Sequence, residues 1–371
     1  MVHLPYYIVL SYTPLMKLIS SEIEAFKALL FSPKTYELAI EMSKSAIHLQ
    51  RIITEMSQRF QRAFPFSNDT FQEIVRSQHL DLSHQSLETL QSAVEVLENL
   101  QSLDLSYNQF SYVPTVVNKL AYLTSLDLSS NRIQHLSQEL NGLSALQVLK
   151  MRNNRLTSLP KDTLPATLTH LDLSNNVLEH IPSQLAEIGN LVSLNIAHNP
   201  FTHLDLSLVQ QVKYLQLNRS LPLPQLSPTI GQFTHLKELN LAFNRLQRIP
   251  REVGNLSRLE TLHLEQNELV SLPDTLGQLR HLDSLYLHGN QFTSFPIAIT
   301  QLHQLTELTL LGNQITTIPT QIGQLKQLKR FTLQRNPLSP EEIHKVRTFL
   351  PHCKIYFLCY LPIKIKPKTL L

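Results

Sequence analysis

Sixteen histidines and two cysteines are the residues of this chain best suited to metal or nucleophilic chemistry. His263, Tyr286 and His288 occupy equivalent places in two successive, similar stretches. On paired strands such residues would stand ~5 Å apart, with diagonals nearer 7–8 Å. Zinc asks for three or four donors converging at about 2 Å, and no third residue joins these, so the histidines read as polar surface. HExxH, GxSxG and CxxC are absent. Of eight glycines, Gly142, Gly189, Gly231, Gly254, Gly277 and Gly323 fall in turns, and Gly289 and Gly312 each precede an asparagine. None is left for a phosphate loop or a dinucleotide fingerprint. The expectation is therefore no catalytic residue, no metal and no cofactor. An enzyme would have to reside in the first 76 residues.

The elements that position these side chains repeat. LKELNLAFNRLQRIPREVGNLSR from 236 returns as LETLHLEQNELVSLPDTLGQLRH from 259 and LDSLYLHGNQFTSFPIAITQLHQ from 282. Units begin at 100, 123, 146, 168, 191, 212, 236, 259, 282, 305 and 328, and an imperfect unit begins at Ser77. A fixed period of this kind means a solenoid. In each unit an apolar-polar-apolar triplet such as 262 to 264 has the alternation of a short strand with one buried face. Such a strand is stable only when stacked on its neighbours.

Three residues after the second strand leucine stands an asparagine: Asn108, Asn131, Asn154, Asn176, Asn199, Asn244, Asn267, Asn290, Asn313 and Asn336. Where the chain leaves the strand, backbone groups lose their ladder partners, and a buried amide both donates and accepts. A Leu-Pro, Ile-Pro, Val-Pro or Phe-Pro pair follows in most units. Proline fixes φ and donates no amide, which suits an irregular or helix-starting outer side.

These residues resemble the leucine-rich repeat family in its 23-residue form, LxxLxLxxNxLxxLPxxIGxLxx, over residues 77 to 357. The resemblance implies an α/β solenoid: a horseshoe with a parallel, concave β-sheet, here preceded by a small helical N-terminal region. It implies that the inner sheet binds another protein, and no chemistry. The domains expected are 1–76, a helical region or cap; 77–335, about twelve repeats; 336–357, a C-terminal cap; and 358–371, a basic tail.

The formal net charge of +3 includes Lys354, Lys364, Lys366 and Lys368 near the end, so the body is close to neutral and lacks the basic face that nucleic acid demands. No apolar run reaches the ~20 residues of a membrane span. The first twenty residues lack a basic n-region and are broken by Ser11, Thr13 and Pro14, unlike a cleaved signal peptide. Cytoplasmic residence as a monomer is expected, with secretion by a signal-peptide-independent route as the alternative. Extracellular relatives, by resemblance, carry capping disulfides at both ends, whereas Cys353 and Cys359 share one end. A disulfide between them and a buried, reduced Cys353 both remain open, the second favoured by reducing compartments.

Residues 20 to 64 have helical periodicity, with Ser32 and Pro33 as a helix start, and are read as shielding the first open edge of the stack. The unit at Val212 is irregular: Ser220 replaces the asparagine, and three prolines with one extra residue predict an outward bulge or a kink between two subarrays. At the end, Ser339 and Pro340 start a helix whose Ile343, Val346 and Leu350 face inward, and Ile355 to Phe357 forms a closing strand. This cap resembles those of bacterial family members.

Along the strands the middle solvent-facing column holds Asp81, Asp104, Asp127 and Asp172, the family default and read as structural. Departures from it are more telling. His198, Tyr214, Arg219, Phe243, His263, Tyr286 and His288 bring aromatics and an arginine to the inner face, the composition of interface hot spots. Lys150, Arg152, Asn153 and Arg155 form a second, weaker cluster. The function expected is a non-enzymatic scaffold binding a protein on its concave face. The alternative is a secreted or surface-associated bacterial effector or adhesion factor recognising host proteins.

Overall fold

The computed structural model describes residues 78–90, 99–136, 140, 142–220 and 225–357. The helical region expected in 1–76, the basic tail 358–371 and Cys359 lie outside the described residues. Two compact units are present, one running through Lys150 with Asp162–Thr167, the other built of Met151–Lys161 and the chain from Leu168.

In the first unit β1 (His79–Asp81), β2 (Ser102–Asp104), β3 (Ser125–Asp127) and β4 (Val148–Lys150) pair in parallel, with Leu80, Leu103, Leu126 and Leu149 in register. The second unit continues the same design. It holds β5 (His170–Asp172), β6 (Ser193–Asn195), β7 (Tyr214–Gln216), β8 (Glu238–Asn240), β9 (Thr261–His263), β10 (Ser284–Tyr286), β11 (Glu307–Thr309), β12 (Arg330–Thr332) and β13 (Lys354–Tyr356), each paired in parallel with the next. Each unit is thus a parallel solenoid whose strands are three residues long, stable only through their neighbours. The leucines form the core: Leu259, Leu262, Leu264 and Leu269 are 0% exposed. Burying each contributes about 1.5–3 kcal/mol.

The asparagines do what their position demands. Asn267 Nδ2 donates to the carbonyls of Leu241 at 3.0 Å and Leu264 at 3.1 Å, and its Oδ1 accepts from Leu246 N at 3.1 Å. It joins two successive coils. Ser220 fills the place with a smaller group: its hydroxyl donates to Ile196 O at 3.1 Å and accepts from Asn199 N. The irregular unit does not interrupt the sheet: β7 and β8 pair in full register across its loop, Tyr214 opposite Glu238. Residues 221–224 of that loop lie outside the described residues.

On the side away from the strands the prolines cap 3-10 turns rather than α-helices. Pro250 leads Arg251–Asn255, and Leu256 N closes back on Val253 O at 3.1 Å. Five residues between the proline and the next core leucine leave no room for two α-turns, so the tighter helix wins. Pro160 is followed by an irregular turn instead. Helix α1 (Pro340–Phe349) starts where expected, with Ser339 Oγ accepting from Glu342 N at 3.2 Å. The closing strand is β13, one residue earlier than read from the sequence.

Candidate functional site

The aspartate column has a structural duty. Asp81, Asp104, Asp127 and Asp172 each accept, at 2.8–2.9 Å, the amide of the residue two places on, and Asn195 and Asn240 do the same at 3.1 and 3.0 Å. These caps turn the chain out of the strand. From β9 onward the column changes to His263, Tyr286, Thr309 and Thr332.

Three of the candidate residues meet there. The His263 and Tyr286 rings stack with centroids 4.5 Å apart and planes 12° from parallel. Tyr286 OH donates to Glu307 Oε2 at 3.1 Å, a carboxylate also held by Arg330. His263 Nδ1 lies 3.2 Å from Glu265 Oε1, within reach for an imidazole N–H to donate to the carboxylate. His288 Nδ1 reaches Thr309 Oγ1 at 3.3 Å. Burial, then the Glu307 charge, push the Tyr286 phenol up. For His288, burial pushes the pKa down, Glu265 opposes that, and His263 adds to it. These rings are half-buried by one another rather than freely exposed. Among the described residues no group of three or more His, Cys, Asp or Glu could hold a metal ion.

A second group lies immediately before the ladder position. His198, Arg219 and Phe243 have φ of 56°, 54° and 54°, the left-handed region that side-chain-bearing residues seldom adopt. The same residue of other units is left-handed as well: His84, Tyr107, Ser130, Asn153, Asn175, Gln266, Gly289, Gly312 and Arg335. The conformation follows from the fold, since the amide of most of them still feeds the next coil, as Phe243 N does to Glu265 O at 2.9 Å. Glycine is the undemanding solution. Phe243 is the opposite choice: it is 46% exposed, with the Arg219 guanidinium 4.8 Å over its ring. His198 is exposed beside them, its pKa lowered by burial and by the charges of Arg219 and Arg152. Tyr214 begins β7, level with Glu238, at the other end of the strand from Arg219.

This left-handed column is the feature that sequence reasoning missed as a class. It escaped because polar filler and contact residues look alike in the string. Gly289 and Gly312 in the column were the readable signal of positive φ. In the first unit it holds His84 and Tyr107, stacked with centroids 4.2 Å apart and Tyr107 56% exposed, a pair that the sequence reading did not single out. The proposed basic cluster divides: Lys150 pairs with Asp127 at 3.3 Å in the first unit, whereas Arg152, Asn153 and Arg155 belong to the second. Cys353 is half-buried, and burial pushes its thiol up to about 11, which disfavours the nucleophilic thiolate. No described helix is long and apolar enough to cross a membrane.

A leucine-rich repeat region model matches residues 199–349, and a leucine rich repeat model matches 76–133, 99–156 and 144–201. No curated protein sequence matches the chain. A leucine-rich repeat protein of Leptospira interrogans is 28% identical with a TM-score of 0.53, over 77% of this chain and 98% of that one. An internalin from Listeria monocytogenes gives a TM-score of 0.63 at 22% identity, over 83% and 88%. The plant peptide hormone receptor RGFR1 in complex with RGF2 is 26% identical with a TM-score of 0.52, over 76% of this chain and 51% of that one. With its leucine register, its asparagine seam and two family models side by side, the chain belongs to the leucine-rich repeat proteins.

Proposed function

We propose that the protein is a non-enzymatic recognition scaffold that grips a protein ligand on the strand face of its second unit, between β6 and β11. One observation carries the reading: Phe243 is held exposed in a backbone conformation that disfavours it, next to core positions already filled by Leu239 and Leu241. The fold imposes that conformation on the equivalent residue of the other repeats too, so folding accounts for the backbone but not for the choice of a large apolar ring left in solvent there. The stacked His263 and Tyr286, with His288, Tyr214, His198 and Arg219, supply aromatic and cationic anchors nearby. The receptor complex with RGF2 shows a related fold holding a ligand, which supports the reading by analogy.

The test compares the intact chain with a Phe243→Ala/Tyr286→Ala/His288→Ala variant in affinity capture from the source organism, with thermal unfolding as the control. A partner retained by the first and lost by the second, at similar stability, supports the reading. Equal capture by both removes this face from consideration.

A further inference from the structure

Six residues of the second unit stand within two positions of the ladder: Arg152 and Arg155 flank Asn154, His198 precedes Asn199, Arg219 precedes Ser220, and Phe243 and Arg245 flank Asn244. All six are exposed. Among the described residues none of these four arginines is in an ion pair, the paired cations being Lys150, Lys237, His263, Arg330 and Lys345. The next three repeats carry Glu265 and Glu268 at the same positions and no lysine or arginine. The positive edge therefore begins at Arg152 and stops at Arg245.

Length and charge together define what fits. Four steps of about 5 Å between coils give an edge of roughly 20 Å, which about six extended residues span. Arg219 spends its flat face on Phe243, which leaves the N–H edge of the guanidinium free for a bidentate carboxylate. A long polyanion such as a nucleic acid would run on from this edge onto Glu265 and Glu268, so a short acidic stretch is favoured over one.

We propose that this edge binds a short acidic peptide segment of the partner, its carboxylates set against Arg219, Arg152 and His198 and an apolar side chain against Phe243. This rests on the protein-recognition reading above and names the chemistry of the partner. The depressed His198 fits an edge with no resident anion: the charges acting on it are those of Arg219 and Arg152. A bound carboxylate reverses that balance.

The test uses three fluorescent probes on the full chain: an octapeptide alternating glutamate and leucine, the same peptide with lysine for glutamate, and an eight-residue oligothymidylate. Anisotropy is read for the wild type, Arg219→Glu, Arg152→Glu and the distant control Arg280→Glu, with circular dichroism confirming each fold. The acidic peptide is expected to bind and to weaken about tenfold in each of the first two variants but not in the control. Its addition is expected to raise the His198 midpoint in an NMR titration. Absence of acidic-peptide binding, equal binding of the lysine peptide, tighter binding of the oligonucleotide, indifference to Arg219→Glu, or an unmoved His198 each overturns the proposal. The protein-recognition reading falls separately: a partner lost by the three-alanine variant yet indifferent to Arg219→Glu keeps that reading and removes the acidic segment.

Discussion

Two columns, adjacent in sequence, run along the coils and obey opposite rules. The ladder position faces inward and is asparagine in every complete repeat but one. The residue just before it faces solvent in the left-handed region and reads His84, Tyr107, Ser130, Asn153, Asn175, His198, Arg219, Phe243, Gln266, Gly289, Gly312 and Arg335. Inside, one side chain must satisfy an amide and two carbonyls at once, and few shapes do so. Outside, the backbone alone is demanding, and any side chain is tolerated at modest cost. A repeat protein thereby fixes its fold in one column and leaves the next free to vary.

The contrast between the columns would vanish if the asparagine seam proved dispensable. Asn267→Ala leaves Leu246 N and the carbonyls of Leu241 and Leu264 without their side-chain partner in a buried turn. The expected loss is about 3 kcal/mol in urea unfolding. Ser220→Ala removes the hydroxyl that stands in for asparagine and takes two bonds from Ile196 O and Asn199 N, so a smaller loss of about 1.5 kcal/mol is expected. A change below ~0.5 kcal/mol in Asn267→Ala would mean that the seam is not what joins the coils.

That inner column was legible in the sequence because its chemistry admits one answer: a period of 23, a buried amide at a strand exit and leucines on one face dictate the stack. Tertiary context hid the rest. The 3-10 turns depend on how many residues separate Pro250 from Leu256, and the helical region expected before the repeats falls outside the described residues. The candidate site was half legible. Phe243 and Arg219 were singled out by type, but their pairing and strain are backbone facts that no composition shows. His263, Tyr286 and Glu307 were not foreseen as one bonded group, because register across three strands decides it.

The outer column is sharpened by Phe243→Gly. Glycine relieves the left-handed backbone by about 1 kcal/mol, while losing the Arg219 contact and loosening the unfolded chain. Stability within ~1 kcal/mol of wild type is expected, a third or less of the Asn267→Ala effect, together with weakened partner capture. Conversely, Gly289→Ala places a Cβ 2.4 Å from Gln266 Nε2 at a φ of +67°. The side chain of Gln266 swings aside and the backbone strain remains, a cost of about 1 kcal/mol. A large loss in Phe243→Gly would make that ring a structural element and end its use as evidence for binding.

The smallest expected effect separates burial from charge. His288 and His198 both have lowered pKa values, His288 chiefly by burial and His198 by burial and then by Arg219 and Arg152. The unfolded chain takes up each proton near pH 6.5, where the folded protein still resists it. Stability is therefore full above that pH and declines as the pH falls toward the folded midpoints. Both side chains are partly solvated, so each contributes no more than ~0.5 kcal/mol. His288→Asn and His198→Asn should each flatten the slope between pH 7 and 5 in denaturant titrations. High salt screens the arginine charges at His198 but not the burial of His288. Added salt should accordingly shrink the His198 contribution and spare that of His288, and equal loss of both would show that the two histidines share one electrostatic environment.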